Sequence, residues 1–109
     1  MKSLTKISLS LVVSTAIFLS NLSAQEIHKD TLPTGGTVAG GNATITQESN
    51  NLSINQSSDK VILNWETFNI GKEASVEFFQ PNSTSTALNR VFASDPSKIY
   101  GSLKANGQL

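Results

Sequence analysis

The stretch Val61-Ile-Leu-Asn-Trp-Glu-Thr-Phe-Asn-Ile70 limits the fold more than any other part of the chain. Val61, Leu63 and Trp65 share one face at a period of two, whereas Ile62, Phe68 and Ile70 share the other. Period-two alternation needs an extended strand with one side buried. The apolar set changes phase near Glu66-Thr67. A one-residue slip turns every side chain to the opposite face, so a single flat strand cannot bury both halves. The run therefore predicts two short strands joined by a corner or bulge.

The rest of the chain after residue 24 follows the same style. It is rich in Ser, Thr, Asn and Gly, and no stretch keeps the i, i+3, i+4, i+7 apolar spacing of a helix. Short strand-like runs are predicted at Ala43–Gln47, Leu52–Gln56, Val76–Gln80, Ala87–Phe92 and Ile99–Leu103. Polar turn clusters separate them, including Glu48–Asn51, Ser57–Lys60 and Ser94–Ser97, and Pro81 ends a strand because it has no N–H. Thr34–Gly41 reads as a Gly-rich lead-in. The fold class expected is all-β, and composition leaves a sandwich, a barrel and a β-solenoid open.

The first 24 residues read differently. Lys2 and Lys6 precede an uncharged apolar run from Ile7 to Leu19, and Ala24 closes it, the order of a secretory signal peptide. Cleavage is expected between Ala24 and Gln25, giving residues 1–24 as signal and 25–109 as mature chain. This 13-residue run of apolar and small hydroxyl residues falls short of the roughly 20 needed to span a bilayer. Removing Lys2 and Lys6 leaves six of the eight basic residues against eight acidic ones, a formal charge of −2. A chain with no basic patch is a poor nucleic-acid partner. There is no cysteine, so disulfides cannot staple an exported domain of this size.

Candidate chemistry is sparse, and neither a catalytic nor a metal-binding residue is assigned. His28 is the single histidine, close to the new N-terminus, and carboxylates alone make a poor zinc site. Glu66, Glu73, Glu77 and Asp95 are scattered along strands and loops, as solvated acids usually are. Gly35-Gly36 and Gly40-Gly41 lack the lysine and following helix of a phosphate loop. After residue 24, four Asn-x-Ser/Thr matches begin at Asn42, Asn51, Asn55 and Asn82, a pattern that arises by chance in so polar a chain. Trp65 and Phe68 are expected in the core; the rival is a sugar-binding platform in a small secreted carbohydrate-binding module.

A set of short blocks carries a family likeness: Leu32-Pro-Thr-Gly-Gly-Thr-Val-Ala-Gly-Gly41, Leu52-Ser-Ile-Asn-Gln-Ser-Ser-Asp-Lys60, Asn64-Trp-Glu-Thr-Phe-Asn-Ile-Gly71, Val76-Glu-Phe-Phe-Gln-Pro81, Ala87-Leu-Asn-Arg-Val91, Pro96–Leu103 and Ala105-Asn-Gly-Gln-Leu109. In this order the chain resembles the filamentous-haemagglutinin-type secretion domain of two-partner secretion exoproteins. The likeness is to the branch with high-molecular-weight adhesins and haem-acquisition exoproteins. It implies the N-terminal cap and first rungs of a right-handed parallel β-helix. It also implies export, recognition in the periplasm by the POTRA domains of an outer-membrane barrel transporter, and release at the cell surface. No cofactor, enzyme activity or membrane span is implied, and any host glycan or protein would be bound by regions downstream. Family members continue past the Ala-Asn-Gly-Gln block into an Asn-Pro-Asn-Gly motif, so a truncated domain is expected. The structural signature expected is Asn64, Trp65, Phe68, Asn69, Asn89, Arg90, Val91, Asn106 and Gly107, with the asparagines serving turns or ladders.

Overall fold

The structure, a computed structural model, describes residues 26–109. The signal peptide expected over residues 1–24, with Ala24 and Gln25 at its cleavage point, lies outside the described residues. Among those described there are seven strands: β1 (Thr37–Gly40), β2 (Ala43–Glu48), β3 (Asn51–Gln56), β4 (Lys60–Trp65), β5 (Ser75–Phe79), β6 (Thr86–Val91) and β7 (Ser102–Ala105). No helix among them is long and apolar enough to cross a membrane. The architecture is all-β, with no closed barrel.

Two sheets form, in the orders β1-β4-β6 and β2-β3-β5-β7. From β3 onward the chain alternates between them, so β5 returns parallel beside β3, β6 beside β4 and β7 beside β5. Parallel neighbours need a crossover, and here the strand of the opposite sheet provides it. The returns are nearly periodic: Asn51 pairs with Ser75 (75 − 51 = 24), Lys60 with Thr86 (86 − 60 = 26) and Ser75 with Ser102 (102 − 75 = 27). Each layer therefore sits on the previous one with like positions stacked. At the other end β1 and β2 run antiparallel to β4 and β3 and complete the first layer.

The core lies between the two sheets. Leu52 and Ile54 of β3, Val61, Leu63 and Trp65 of β4, Val76 and Phe78 of β5 and Ala87 of β6 meet there with Leu32, Phe68, Ile70 and Ala74. These are the inward halves of the period-two runs. Trp65 is 1% exposed, and its ring meets Phe68 edge-on with centroids 5.3 Å apart. Gly36 lies against the indole, where even a Cβ would collide with the ring.

The phase change is a corner. β4 stops at Trp65; Thr67 then bridges antiparallel to Thr34, and Ile70 bridges parallel to Ile99. The second strand expected after the corner is thus reduced to single bridges, while Phe68 and Ile70 still turn inward. Two other expectations differ from the structure. Thr37–Gly40 is a strand, although its flanking glycines read as a turn, because it pairs along β4 through Thr37↔Asn64 and Val38↔Leu63. The last strand is not Ile99–Leu103 but Ser102–Ala105. The N–H groups of Tyr100 and Gly101 both reach the Ile70 carbonyl, at 2.9 and 3.2 Å, which bends the chain there. A side chain on Gly101 would collide with the carbonyls of Gly71 and Ala74, so only glycine fits that bend.

Truncating Trp65 removes the largest buried side chain of the core. Trp65→Ala is expected to cost about 3–5 kcal/mol in urea unfolding. Gly36→Ala should cost about 1–3 kcal/mol by overpacking the same ring; an unchanged midpoint for Gly36→Ala would show that β1 does not seat against Trp65.

Candidate functional site

The corners between layers are held by side-chain amides. Asn106 grips the backbone of Gln80 at both ends: its Oδ1 accepts from Gln80 N at 2.7 Å and its Nδ2 donates to Gln80 O at 2.9 Å. Asn69 Oδ1 accepts from Lys98 N at 2.8 Å. Asn89 points inward, where its Oδ1 accepts the Trp65 indole N–H at 2.9 Å. Asn64 points outward and accepts from Arg90 Nε at 2.8 Å, across the directly paired positions of β4 and β6. Each of these bonds joins one layer to the next. Asn106 and Asn69 also satisfy backbone groups that a strand end would otherwise leave unpaired.

The sequence-predicted residues therefore do not converge on one pocket. Trp65 and Phe68 are interior, and the indole is covered and its N–H committed, so it offers no platform for a sugar. Val91 is half-buried against the core. Gly107 stands where a Cβ would collide with the Gln80 side chain, and its N–H donates to Gln80 Oε1 at 2.8 Å. The four acids weighed for catalysis lie on separate elements: Glu66 against Gly35, Glu73 beside Lys29, Glu77 on the exposed face of β5 and Asp95 in the loop after β6. Among the described residues no three His, Cys, Asp or Glu side chains are grouped to hold a metal.

Sequence reasoning missed Gln56, Gln80 and Ser85, the buried polar residues. Gln56 Nε2 donates to the carbonyls of Ser58, Asp59 and Thr86, and Gln80 Nε2 to those of Ser85 and Gln108. Both glutamines follow the last strand residues that pair between β3 and β5, so they repeat one position on successive layers. Their spacing of 24 residues (80 − 56) was the available signal.

The described layers end at β6 and β7. Phe92 N donates to Trp65 O and Ser102 N to Ala74 O, so the even-numbered backbone groups of both strands face the layer before. Ladder geometry then turns those of Asn89, Val91, Leu103 and Ala105 outward, along an open edge. The side-chain columns open at the same place. Ile70 is 0% exposed, whereas Ile99 stacked on it is 43% exposed; Val76 is 1% exposed and Leu103 beside it 38%. The Asn106-Gly107 turn hands the chain back to β6, where Gln108 already lies parallel to Thr86 and accepts from Ala87 N at 2.9 Å.

At the opposite end an N-terminal strap crosses the first corner. Gly71 N donates to Thr31 O and Glu73 N to Lys29 O, both at 2.9 Å, and Leu32 enters the core. Lys29 Nζ lies 3.3 Å from Asp30 and 3.7 Å from Glu73. The hydrogen bond from Lys29 holds the Asp30 carboxyl below its ordinary range, and the same bond raises the Lys29 ammonium.

Comparison with known proteins agrees with this arrangement. The family model of the TPS (two-partner secretion) secretion domain matches residues 24–109. The chain is similar to a heme/hemopexin-binding protein of Haemophilus influenzae strain Rd, 35% identical over 98 residues, which are 90% of this chain and 11% of that protein. A second heme/hemopexin-binding protein from Haemophilus influenzae is 43% identical over 58 residues, 53% of this chain and 6% of its own length. The chain thus spans about a tenth of the curated relatives it matches. Among solved structures, the HMW1 secretion domain from Haemophilus influenzae superposes with a TM-score of 0.64 at 37% identity, over 69% of this chain and 20% of that one.

Two outcomes test the corners. Asn106→Ala leaves Gln80 N and O without partners and should lower stability by about 1–3 kcal/mol, with faster amide exchange at Gln80 and Gly107. The strap should respond to acid. A depressed Asp30 means stability that is present above the ordinary carboxylate range and lost as pH falls through the folded-state value. Exchange at residues 29–31 is therefore expected to accelerate below about pH 4, while that of β4 does not; Asp30→Asn should abolish the difference.

Proposed function

We propose, from the premise that this chain belongs to the two-partner secretion domain family, that an outer-membrane barrel transporter recognises it in the periplasm through its POTRA domains. As a member of that family the chain is the secretion-signal domain of a two-partner secretion exoprotein. The single observation that carries the proposal is the family match over residues 24–109 on a stack of parallel layers that superposes on the HMW1 secretion domain.

The full reading has four steps. Residues 1–24 direct export and are removed between Ala24 and Gln25. The mature chain, free of cysteine, crosses the periplasm without disulfides to lock it. POTRA domains of the barrel transporter recognise the domain, and the exoprotein is threaded outward. Outside, the layers continue as a right-handed parallel β-helix, a geometry favoured by the near-constant return of 24 to 27 residues. Adhesion or haem acquisition, the latter suggested by the names of the relatives, would belong to regions beyond this domain.

The chain placed ahead of a reporter passenger and produced with a POTRA-bearing transporter in a Gram-negative host tests the proposal. Passenger should reach the medium only when the transporter is present, beginning at Gln25 by N-terminal sequencing. Leu103→Pro, which spoils the edge of β7, should cut release about tenfold or more. Release that ignores the transporter would overturn the assignment.

A further inference from the structure

We infer that the outer face of the β4–β6 pair is a contact surface, one that takes an extended acidic segment of the transporter's periplasmic part with an aliphatic residue at its centre. The inference rests on the proposed function and adds a site for it. Three directly opposed pairs make up the face: Lys60↔Thr86, Ile62↔Leu88 and Asn64↔Arg90. Alternation turns all six outward, because Val61, Leu63, Trp65 and Ala87 are the buried members of these strands.

The middle pair is unusual for an outer face. Leu88 is 53% exposed beside Ile62, and a shallow groove of about 360 Å³ runs over them between Lys60 and Thr86. Lys60 lines the groove, and Arg90 stands on the same face two positions beyond Leu88. Neither Lys60 nor Arg90 forms an ion pair among the described residues, whereas Lys29 pairs with two carboxylates. The acids nearest Lys60 in sequence are engaged elsewhere: Asp59 accepts from Ser85 Oγ at 3.2 Å, and Glu66 folds over Gly35. The outer face of the other sheet is balanced instead, with Glu77 directly opposite Lys104.

Geometry sets the pattern of the occupant. Along a strand two residues advance about 6.7 Å, so Lys60 and Arg90 lie four positions apart, roughly 13 Å along the pair and one strand spacing of about 4.8 Å across it. An extended segment laid over the groove matches this with carboxylates at i and i+4 and an aliphatic side chain at i+2, that is Asp/Glu-x-Leu/Ile/Val-x-Asp/Glu. A flat anionic membrane fits less well, since the apolar part is only two side chains wide. Charges at the rim of a contact act mostly on its formation rate and salt dependence, which makes them readable.

Binding of the purified chain to the transporter's purified POTRA domains, measured at low and at raised salt, decides the matter. Lys60→Glu combined with Arg90→Glu should weaken binding about tenfold at low salt and remove most of its salt dependence. Leu88→Ser should weaken it without changing the salt dependence. Arg90→Lys, which keeps the charge, and Lys72→Glu, exposed in the corner after Gly71, should bind as the parent does. Equal binding by the parent and by the double charge reversal overturns this inference and leaves the proposed function standing. No binding by the parent overturns the proposed function and the inference together. Vesicles containing anionic phospholipid are the second arm: if they capture the parent but not the double reversal, while POTRA binding is unchanged, the face belongs to a membrane and the inference fails.

Discussion

Strict register between successive layers is the constraint on which the rest of the structure depends. In β3, β5 and β7, and again in β4 and β6, each residue stands beside its counterpart one turn of chain later. Parallel pairing of this kind turns the core into columns such as Val61 on Ala87 and Trp65 on Val91, instead of a cluster gathered from scattered positions. A slip of one residue would invert every column at once, sending Trp65, Leu63 and Val61 to solvent. The apolar columns supply most of the driving force. They do not by themselves choose between neighbouring even-numbered slips, because Leu, Ile and Val substitute for one another at modest cost.

That choice falls to the corners. Asn106 reads both backbone groups of Gln80, and Gln80 reads Gly107 and the carbonyls of Ser85 and Gln108. Such contacts fail completely when displaced by two residues, since each buried amide would lose its partners. Asn89 does the same from within, placing an acceptor under the Trp65 N–H. With no cysteine, and no grouped metal ligands among the described residues, the register is fixed by amide side chains. This accounts for the abundance of Asn, Gln and Ser in a sequence whose core is otherwise ordinary.

Legibility in the sequence followed the same division. Strands β2 to β6 could be read to within a residue or so because their inward positions alternate with polar ones, and the phase change at Glu66-Thr67 marked a real corner. β1 was hidden because Thr-Val-Ala-Gly between glycine pairs has the composition of a turn; its extended form is imposed by the edge of β4 and the bulk of Trp65. β7 was misplaced because Ile99 is a column residue without being a strand residue, and the bend at Gly101 depends on carbonyls of the preceding layer. Gln56 and Gln80 escaped notice because a polar residue at a strand end reads as surface. Only their place on successive layers distinguishes them. Asn64 and Arg90 were noticed as a signature, yet nothing in the sequence said that they lie opposite each other on an outer face.

The separation of tasks also bears on how one layer prepares the next. At β6 and β7 the columns offer apolar area that any apolar strand could cover, which is affinity with little selectivity. The edge beside them presents backbone groups in a fixed direction, with Asn89 held inward by Trp65 and Asn106 clamped to Gln80. A strand added there must run in a set direction and register to satisfy those groups while covering Val91, Ile99 and Leu103. The same features that keep one layer from slipping on the next therefore set the register of whatever strand is laid on the last one.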